Sequence, residues 1–122
     1  MAQALVSHRA DAPDEVREFL DGKGRMEAVH LPAGDAGRGT FEPGWHWAEH
    51  VKPIAGTDSC QTRHIGYIVS GRMRVRMADG TETDFGPGDF MHIEPGHDAW
   101  VLGEEPCVNL DFGGLAGYAV KR

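Results

Sequence analysis

The sequence has little of what membrane proteins and nucleic-acid-binding proteins need. No apolar run approaches the roughly 20 residues of a membrane helix, and the mean hydropathy is −0.41. Lys and Arg number 12 against 19 Asp and Glu, a net charge of −7, whereas proteins that bind nucleic-acid phosphates present a basic surface. We therefore expect neither a nucleic-acid partner nor a membrane partner.

Cysteine is also scarce. The only two, Cys60 and Cys107, are too few for a framework of several disulfides. Residues 1–9 lack the charged segment and apolar core of a secretion signal. These absences predict a cytoplasmic protein whose cysteines are thiols.

One segment, Asp11–Leu20, predicts a helix. It begins with an aspartate that can cap the first turn and a proline two residues later, and acidic side chains there suit the positive end of a helix dipole. Val16, Phe19 and Leu20 share one helical face. We expect residues 1–24 to form an N-terminal arm with this short helix.

Glycine and proline are abundant, at 17 and 7 of 122 residues, as in chains with many tight turns. After residue 24 the apolar pattern changes to period two, which is typical of strands. About eight short strands separated by turn residues predict an all-β sandwich or barrel, in a single domain over residues 25–122. The predicted strands are Arg25–Leu31, a strand within Thr40–Val51, Cys60–Val69, Arg72–Ala78, Thr81–Phe85, Phe90–Ile93, His97–Leu102 and Cys107–Phe112, and the segments Pro32–Gly39 and Lys52–Ser59 are predicted loops.

The strand of three arginines allows two interpretations. Arg72, Arg74 and Arg76 alternate with apolar residues, so they share one face of their strand. They form either an anion site or simply a solvated face, and alternation alone accounts for the second.

Histidine and cysteine residues indicate a metal site. His64 and Cys60 share one strand face, but four residues along a strand span about 13 Å. They can hold one ion only if the strand bulges or Cys60 belongs to the preceding loop. His50 ends an earlier strand and His97 starts a later one. Imidazole suits Zn, Fe, Ni and Cu, and a thiolate favours the softer ions.

The chain from about Thr40 to Phe112 resembles the cupin superfamily. Two glycine-anchored motifs mark these proteins, G-x5-H-x-H-x(3,4)-E-x6-G and G-x5-P-x-G-x2-H-x3-N. The parts of this sequence most similar to them are Tyr67–Gly71, Gly86–Asp89 and Ile93–Gly96. The resemblance implies a double-stranded β-helix, or jelly-roll, barrel, which small cupins often assemble into a homodimer.

The ligand positions depart from the family's usual three histidines and one glutamate, of which the first motif supplies two histidines and the glutamate. Counting back from Gly71, His64 stands at the glutamate position and Cys60 at a histidine position. Counting forward from Gly44, His50 stands at a histidine position.

In the second motif, His97 stands two residues before the family's histidine position and shares a strand face with it. The resemblance thus implies a divalent metal, one of Zn, Fe, Ni, Mn or Cu, held by a replacement set. That set is His50, Cys60, His64 and His97.

Two functions follow as expectations. In the first, the barrel binds a metal and a small-molecule ligand, and any enzymatic activity is metal-dependent chemistry on a small oxygen-rich substrate. In the second, the protein is a metal-free module that binds or senses a small molecule, which the loss of the usual ligand set favours. A purely structural role through dimerisation has the least support.

Overall fold

A computed structural model describes residues 4–113, 115 and 118–120. The described chain forms two antiparallel sheets, one of six strands in the order β1-β2-β3-β9-β4-β7 and one of three in the order β6-β5-β8. No helix in these ranges is long and apolar enough to cross a membrane. The strands are β1 (Glu15–Glu18), β2 (Gly24–Leu31), β3 (Gly34–Phe41), β4 (His64–Ser70), β5 (Arg72–Met77), β6 (Glu82–Phe85), β7 (Phe90–Ile93), β8 (His97–Leu102) and β9 (Cys107–Asp111), and the helices are a 3₁₀ turn (Leu20–Gly22), α1 (Trp47–His50) and α2 (Lys52–Ala55).

Both sheets contribute to one apolar core. Ile68 and Met91 enter it from the six-stranded sheet, and Met73, Val75 and Val101 enter it from the three-stranded sheet. The alternation predicted for β4, β5 and β8 is confirmed, since buried and more exposed residues alternate along each of them. The mostly-β prediction is therefore correct.

The predicted N-terminal helix is wrong. Residues Glu15–Glu18 form β1, which pairs antiparallel with β2, and a 3₁₀ turn at Leu20–Gly22 follows it. Of the three apolar residues placed on one helical face, Phe19 is buried but Val16 is 47% exposed. Pairing with β2 satisfies the backbone of this segment, so tertiary contacts override a weak local helix signal.

The predicted loop at Pro32–Gly39 is also wrong, because most of it belongs to β3. Glycines made this segment look like a loop, yet two of them allow close packing within the sheet. A Cβ at Gly37 would lie 2.9 Å from the side chains of Leu115 and Met26, and one at Gly39 would lie 2.5 Å from Asn109 Oδ1.

The strand predicted within Thr40–Val51 ends at Phe41, and helix α1 begins at Trp47. Strand β4 begins at His64, four residues after the predicted start at Cys60. α1 and α2 occupy residues 47–50 and 52–55, so part of the predicted loop Lys52–Ser59 is helical. Residues 60–63 lie outside β4, although Cys60 forms an isolated antiparallel bridge with His97. This bridge places Cys60 beside His97, the first residue of β8.

Candidate metal centre

Three of the four histidine and cysteine residues predicted as ligands lie together in the interior. Cys60, His64 and His97 are 3%, 7% and 3% exposed, and one potential ligand atom from each lies within 4.8 Å of the other two. The Cys60 Sγ lies 3.7 Å from His64 Nε2. The ring centroids of His64 and His97 are 5.3 Å apart.

The local chain path explains how Cys60 reaches the other two. Its backbone N–H donates to the His97 carbonyl at 2.8 Å, and the Gly96 N–H donates to the Cys60 carbonyl at 2.7 Å. Cys60 is therefore fixed beside the start of β8 and does not lie about 13 Å from His64 along the same strand. It belongs to the segment that precedes β4, which is one of the two arrangements expected to let Cys60 and His64 hold one ion.

Hydrogen bonds at Nδ1 orient both imidazoles. His64 Nδ1 lies 2.6 Å from Asp111 Oδ2, and His97 Nδ1 lies 2.7 Å from the Glu94 carbonyl oxygen. Each Nδ1–H donates to its oxygen, so each Nε2 is left for the cluster. A carboxylate or carbonyl behind the ring is the usual support of a metal-binding histidine.

Charge within the cluster favours a thiolate. Burial raises the pKa of the Cys60 thiol, but hydrogen bonding and charge from His64 and His97 outweigh burial and lower the pKa to about 6. Burial lowers the pKa of His64, but Asp111 and then Cys60 outweigh burial and raise it to about 9. In the metal-free cluster these interactions favour a thiolate on Cys60 beside an imidazolium on His64.

The other cysteine has the opposite electrostatic environment. Burial, with the charge of Glu105, raises the pKa of Cys107 to about 12. Cys107 has no exposed surface and does not belong to the three-residue cluster. The two cysteines are therefore chemically distinct, and only Cys60 has the thiolate character of a metal ligand.

The structure does not place His50 in the cluster. Residues 47–50 form α1 instead of a strand, and His50 Nδ1 accepts the backbone N–H of His46 at 3.0 Å. His50 Nε2 lies 3.9 Å from carboxylate oxygens of Asp21 and Glu49. The helical turn thus directs one ring nitrogen to the start of α1 and the other to these acidic residues.

Sequence reasoning missed two residues that touch the cluster. Asp111 is 1% exposed and supports His64, and the Tyr118 ring lies edge-on to His64 with centroids 5.2 Å apart. Burial, with the charges of Cys60 and Asp111, raises the pKa of Tyr118 well above its usual range. The alternation of β9, in which Cys107, Asn109 and Asp111 are buried, was the signal that could have identified Asp111.

Three buried polar atoms near the core have no hydrogen-bond partner within the described residues. They are the indole nitrogens of Trp45 and Trp47 and the side-chain oxygen of Asn109. Asn109 lies on the same buried face of β9 as Asp111, two residues away. Buried polar groups normally have partners, so these atoms can accept or donate to a bound molecule or to water.

No known family model matches the sequence, and no curated protein matches it. Solved structures do match its fold. KdgF from Halomonas sp. is 22% identical with a TM-score of 0.55, covering 82% of this chain and 86% of that one. A sugar phosphate isomerase of the cupin superfamily from Silicibacter pomeroyi is 14% identical with a TM-score of 0.61, covering 89% and 75%.

A further solved structure is a DUF1255 protein of unknown function from Acidithiobacillus ferrooxidans. It is 20% identical with a TM-score of 0.58, covering 80% of this chain and 85% of that one. The chain has a small cupin-like fold. Identities this low indicate the fold alone, so the activities named for these proteins do not transfer with it.

The donor set of this cupin-like fold suits a divalent metal. A tetrahedral Zn²⁺ with ordinary Zn–S and Zn–N bond lengths separates its sulfur and nitrogen ligands by about 3.6 Å, close to the 3.7 Å between Cys60 Sγ and His64 Nε2. One sulfur and two imidazole nitrogens favour Zn, Fe, Ni or Cu over Mn, which prefers oxygen. Three protein ligands leave a position for water or substrate.

Proposed function

We propose that this chain is a small cupin-type protein that binds a divalent metal ion through Cys60, His64 and His97. The ion lies inside a closed jelly-roll barrel formed by the two sheets, and it leaves a position for a small-molecule ligand. The main evidence for the proposal is that three buried donor atoms lie within 4.8 Å of one another. They come from a loop, β4 and β8, which are distant in sequence.

The surroundings of the cluster support this proposal. Asp111 and the Glu94 carbonyl hold the two imidazoles with Nε2 available, and neighbouring histidines favour the thiolate of Cys60. A bound ion would supply Lewis-acid or redox chemistry to a small oxygen-rich substrate. Asp111 would keep the His64 ring oriented, and the Tyr118 ring would pack edge-on against it.

Metal content of purified protein and of single variants tests the proposal. We expect about one equivalent of one metal after reconstitution. Cys60→Ala, His64→Ala and His97→Ala should each bind metal at least tenfold more weakly, because each removes one of three protein ligands. Co²⁺ loading should give thiolate-to-metal charge-transfer absorption that Cys60→Ala abolishes.

His92→Ala is the matched control. His92 lies on β7 with its side chain 64% exposed and paired with Glu94, so its loss should leave metal binding unchanged. Circular dichroism of each variant separates loss of ligation from loss of folding. A wild-type protein that takes up no metal on reconstitution would remove the proposed function.

The second candidate is a metal-free module that binds a small polar molecule in the interior. The partnerless atoms of Trp45, Trp47 and Asn109 favour it, because a bound polar molecule would satisfy them. Native mass spectrometry of freshly purified protein distinguishes the two functions. A retained organic molecule without metal supports this candidate, and a retained metal ion supports the first.

A further inference from the structure

An open groove of about 540 Å³ lies on the outer side of the three-stranded sheet. Alternate residues of β8 point to opposite sides of this sheet. His97 and Ala99 are buried, whereas Asp98 and Trp100 are half-buried and line the groove. The groove is therefore separated from the metal cluster by β8 itself.

Strand pairing places four side chains on one face of this groove. Arg76 is the direct partner of Asp98 across β5 and β8, and His46 bridges to Trp100 on the other edge of β8. Directly opposed residues in an antiparallel pair point to the same side. The contacts agree, since the His46 ring lies edge-on to the Trp100 ring with centroids 5.4 Å apart.

Both side-chain oxygens of Asp98 have hydrogen-bond partners. Its Oδ2 lies 2.7 Å from His46 Nε2, and its Oδ1 accepts the Ala99 N–H at 2.9 Å. Asp98 thus fixes the His46 ring beside Trp100, and within the described residues no ion pair joins it to Arg76.

Arg76 differs in this respect from the other two arginines of β5. Arg74 makes two hydrogen bonds to Asp84, at 2.7 and 3.0 Å, and Arg72 approaches the same carboxylate at 3.9 Å. Within the part of the chain that the structure describes, Arg76 makes no such ion pair, although Glu82 on β6 and Asp98 on β8 are its direct cross-strand partners. A guanidinium that forms no ion pair at the wall of a groove can bind a carboxylate through two parallel hydrogen bonds.

We infer that this groove binds a small molecule that carries a flat apolar ring and one carboxylate. The ring lies against the Trp100 indole, whose face suits aromatic stacking, and the carboxylate lies on Arg76. A singly charged anion is favoured over a phosphate dianion, because Asp98 and Glu49 also line the groove and repel negative charge. This inference does not depend on the metal.

Sodium benzoate is the probe, titrated into the intact chain and followed by the indole N–H resonance of Trp100 in ¹⁵N-resolved NMR spectra. We expect a saturable shift of this resonance, with little change at the buried indole of Trp47. Arg76→Gln should weaken binding about tenfold, since it removes charge-assisted hydrogen bonds to the carboxylate. Arg72→Gln is the matched control, on the same face of β5 but outside the groove, and should bind as wild type.

Two further probes test the chemistry of the ligand. Benzamide keeps the ring and loses the charge, and phenyl phosphate keeps the ring and doubles the charge, so both should bind more weakly than benzoate. The inference is overturned if benzoate gives no saturable shift, if benzamide binds equally well, or if phenyl phosphate binds more tightly. Equal weakening by the two arginine variants would also overturn it, and unchanged spectra elsewhere confirm that each variant is folded.

Discussion

A single hydrogen bond decides which nitrogen of His64 faces the cluster. Asp111 is almost fully buried, and its Oδ2 lies 2.6 Å from His64 Nδ1. Its other oxygen accepts the Gly113 N–H at 3.0 Å, which fixes the carboxylate itself. The imidazole is thus held in one orientation before any ion arrives, as in metal sites whose outer partners support the ligands.

Asp111→Asn should therefore weaken metal binding by about 10- to 100-fold, the usual effect of losing such a partner. The amide can keep the shape of the contact but carries no charge to support the ring. Metal affinity by competition with a chromophoric chelator measures the effect. Asp84→Asn, which removes an exposed carboxylate on β6, should leave the affinity unchanged, and an unchanged affinity in Asp111→Asn would contradict the role given to Asp111.

Alternation along the strands predicted the cluster histidines His64 and His97, but it did not identify Asp111, which holds His64 in place. It placed His64 and His97 on buried faces, and the structure agrees. It could not fix the path of Cys60, which depends on a bridge to His97. It also could not foresee that α1 would turn His50 away, because a four-residue helix leaves almost no periodic signal.

At the scale of elements, β4 and β9 approach unusually closely beside the cluster. Gly66 pairs with Asp111, and a Cβ at Gly66 would lie 2.1 Å from the Leu110 carbonyl oxygen. Backbone atoms cannot move aside as a flexible side chain can. This glycine therefore sets the separation of the two strands that carry His64 and Asp111.

Gly66→Ala should lower the free energy of unfolding by about 2 kcal/mol or more, the cost of overpacking a tight contact. Urea unfolding monitored by circular dichroism measures this change. Gly86→Ala is the control, because the nearest atom to its added Cβ would be 3.7 Å away and little change is expected. Equal stabilities of the two variants would show that β4 and β9 are not in tight contact at Gly66.

Elements bounded by clear turn residues were predictable from the sequence, and those stabilised by distant pairing were not. β7 and β8 have the predicted limits, because Gly-Pro-Gly and Glu-Pro-Gly turns precede them. β1 and β3 were predicted as helix and loop. Both depend on β2 for their hydrogen bonds, and β3 is rich in glycine, so local propensity favoured other structures.

At the level of the whole molecule, the two sheets share one core, and the six-stranded sheet has an exposed apolar edge. The six-stranded sheet ends at β7, where Phe90 is 83% exposed and lies beside Tyr67. The homodimer expected from the sequence stays a prediction, and this apolar sheet edge is the surface on which a second copy could pack. Light scattering of the wild-type protein tests it.

The most direct test of the proposed metal site is an anomalous difference map, recorded at the absorption edge of the bound metal, from crystals of reconstituted protein. We expect one strong peak, about 2.3 Å from Cys60 Sγ and about 2.0 Å from Nε2 of His64 and of His97. A peak held by other side chains, or no peak in crystals grown with saturating metal, would contradict it.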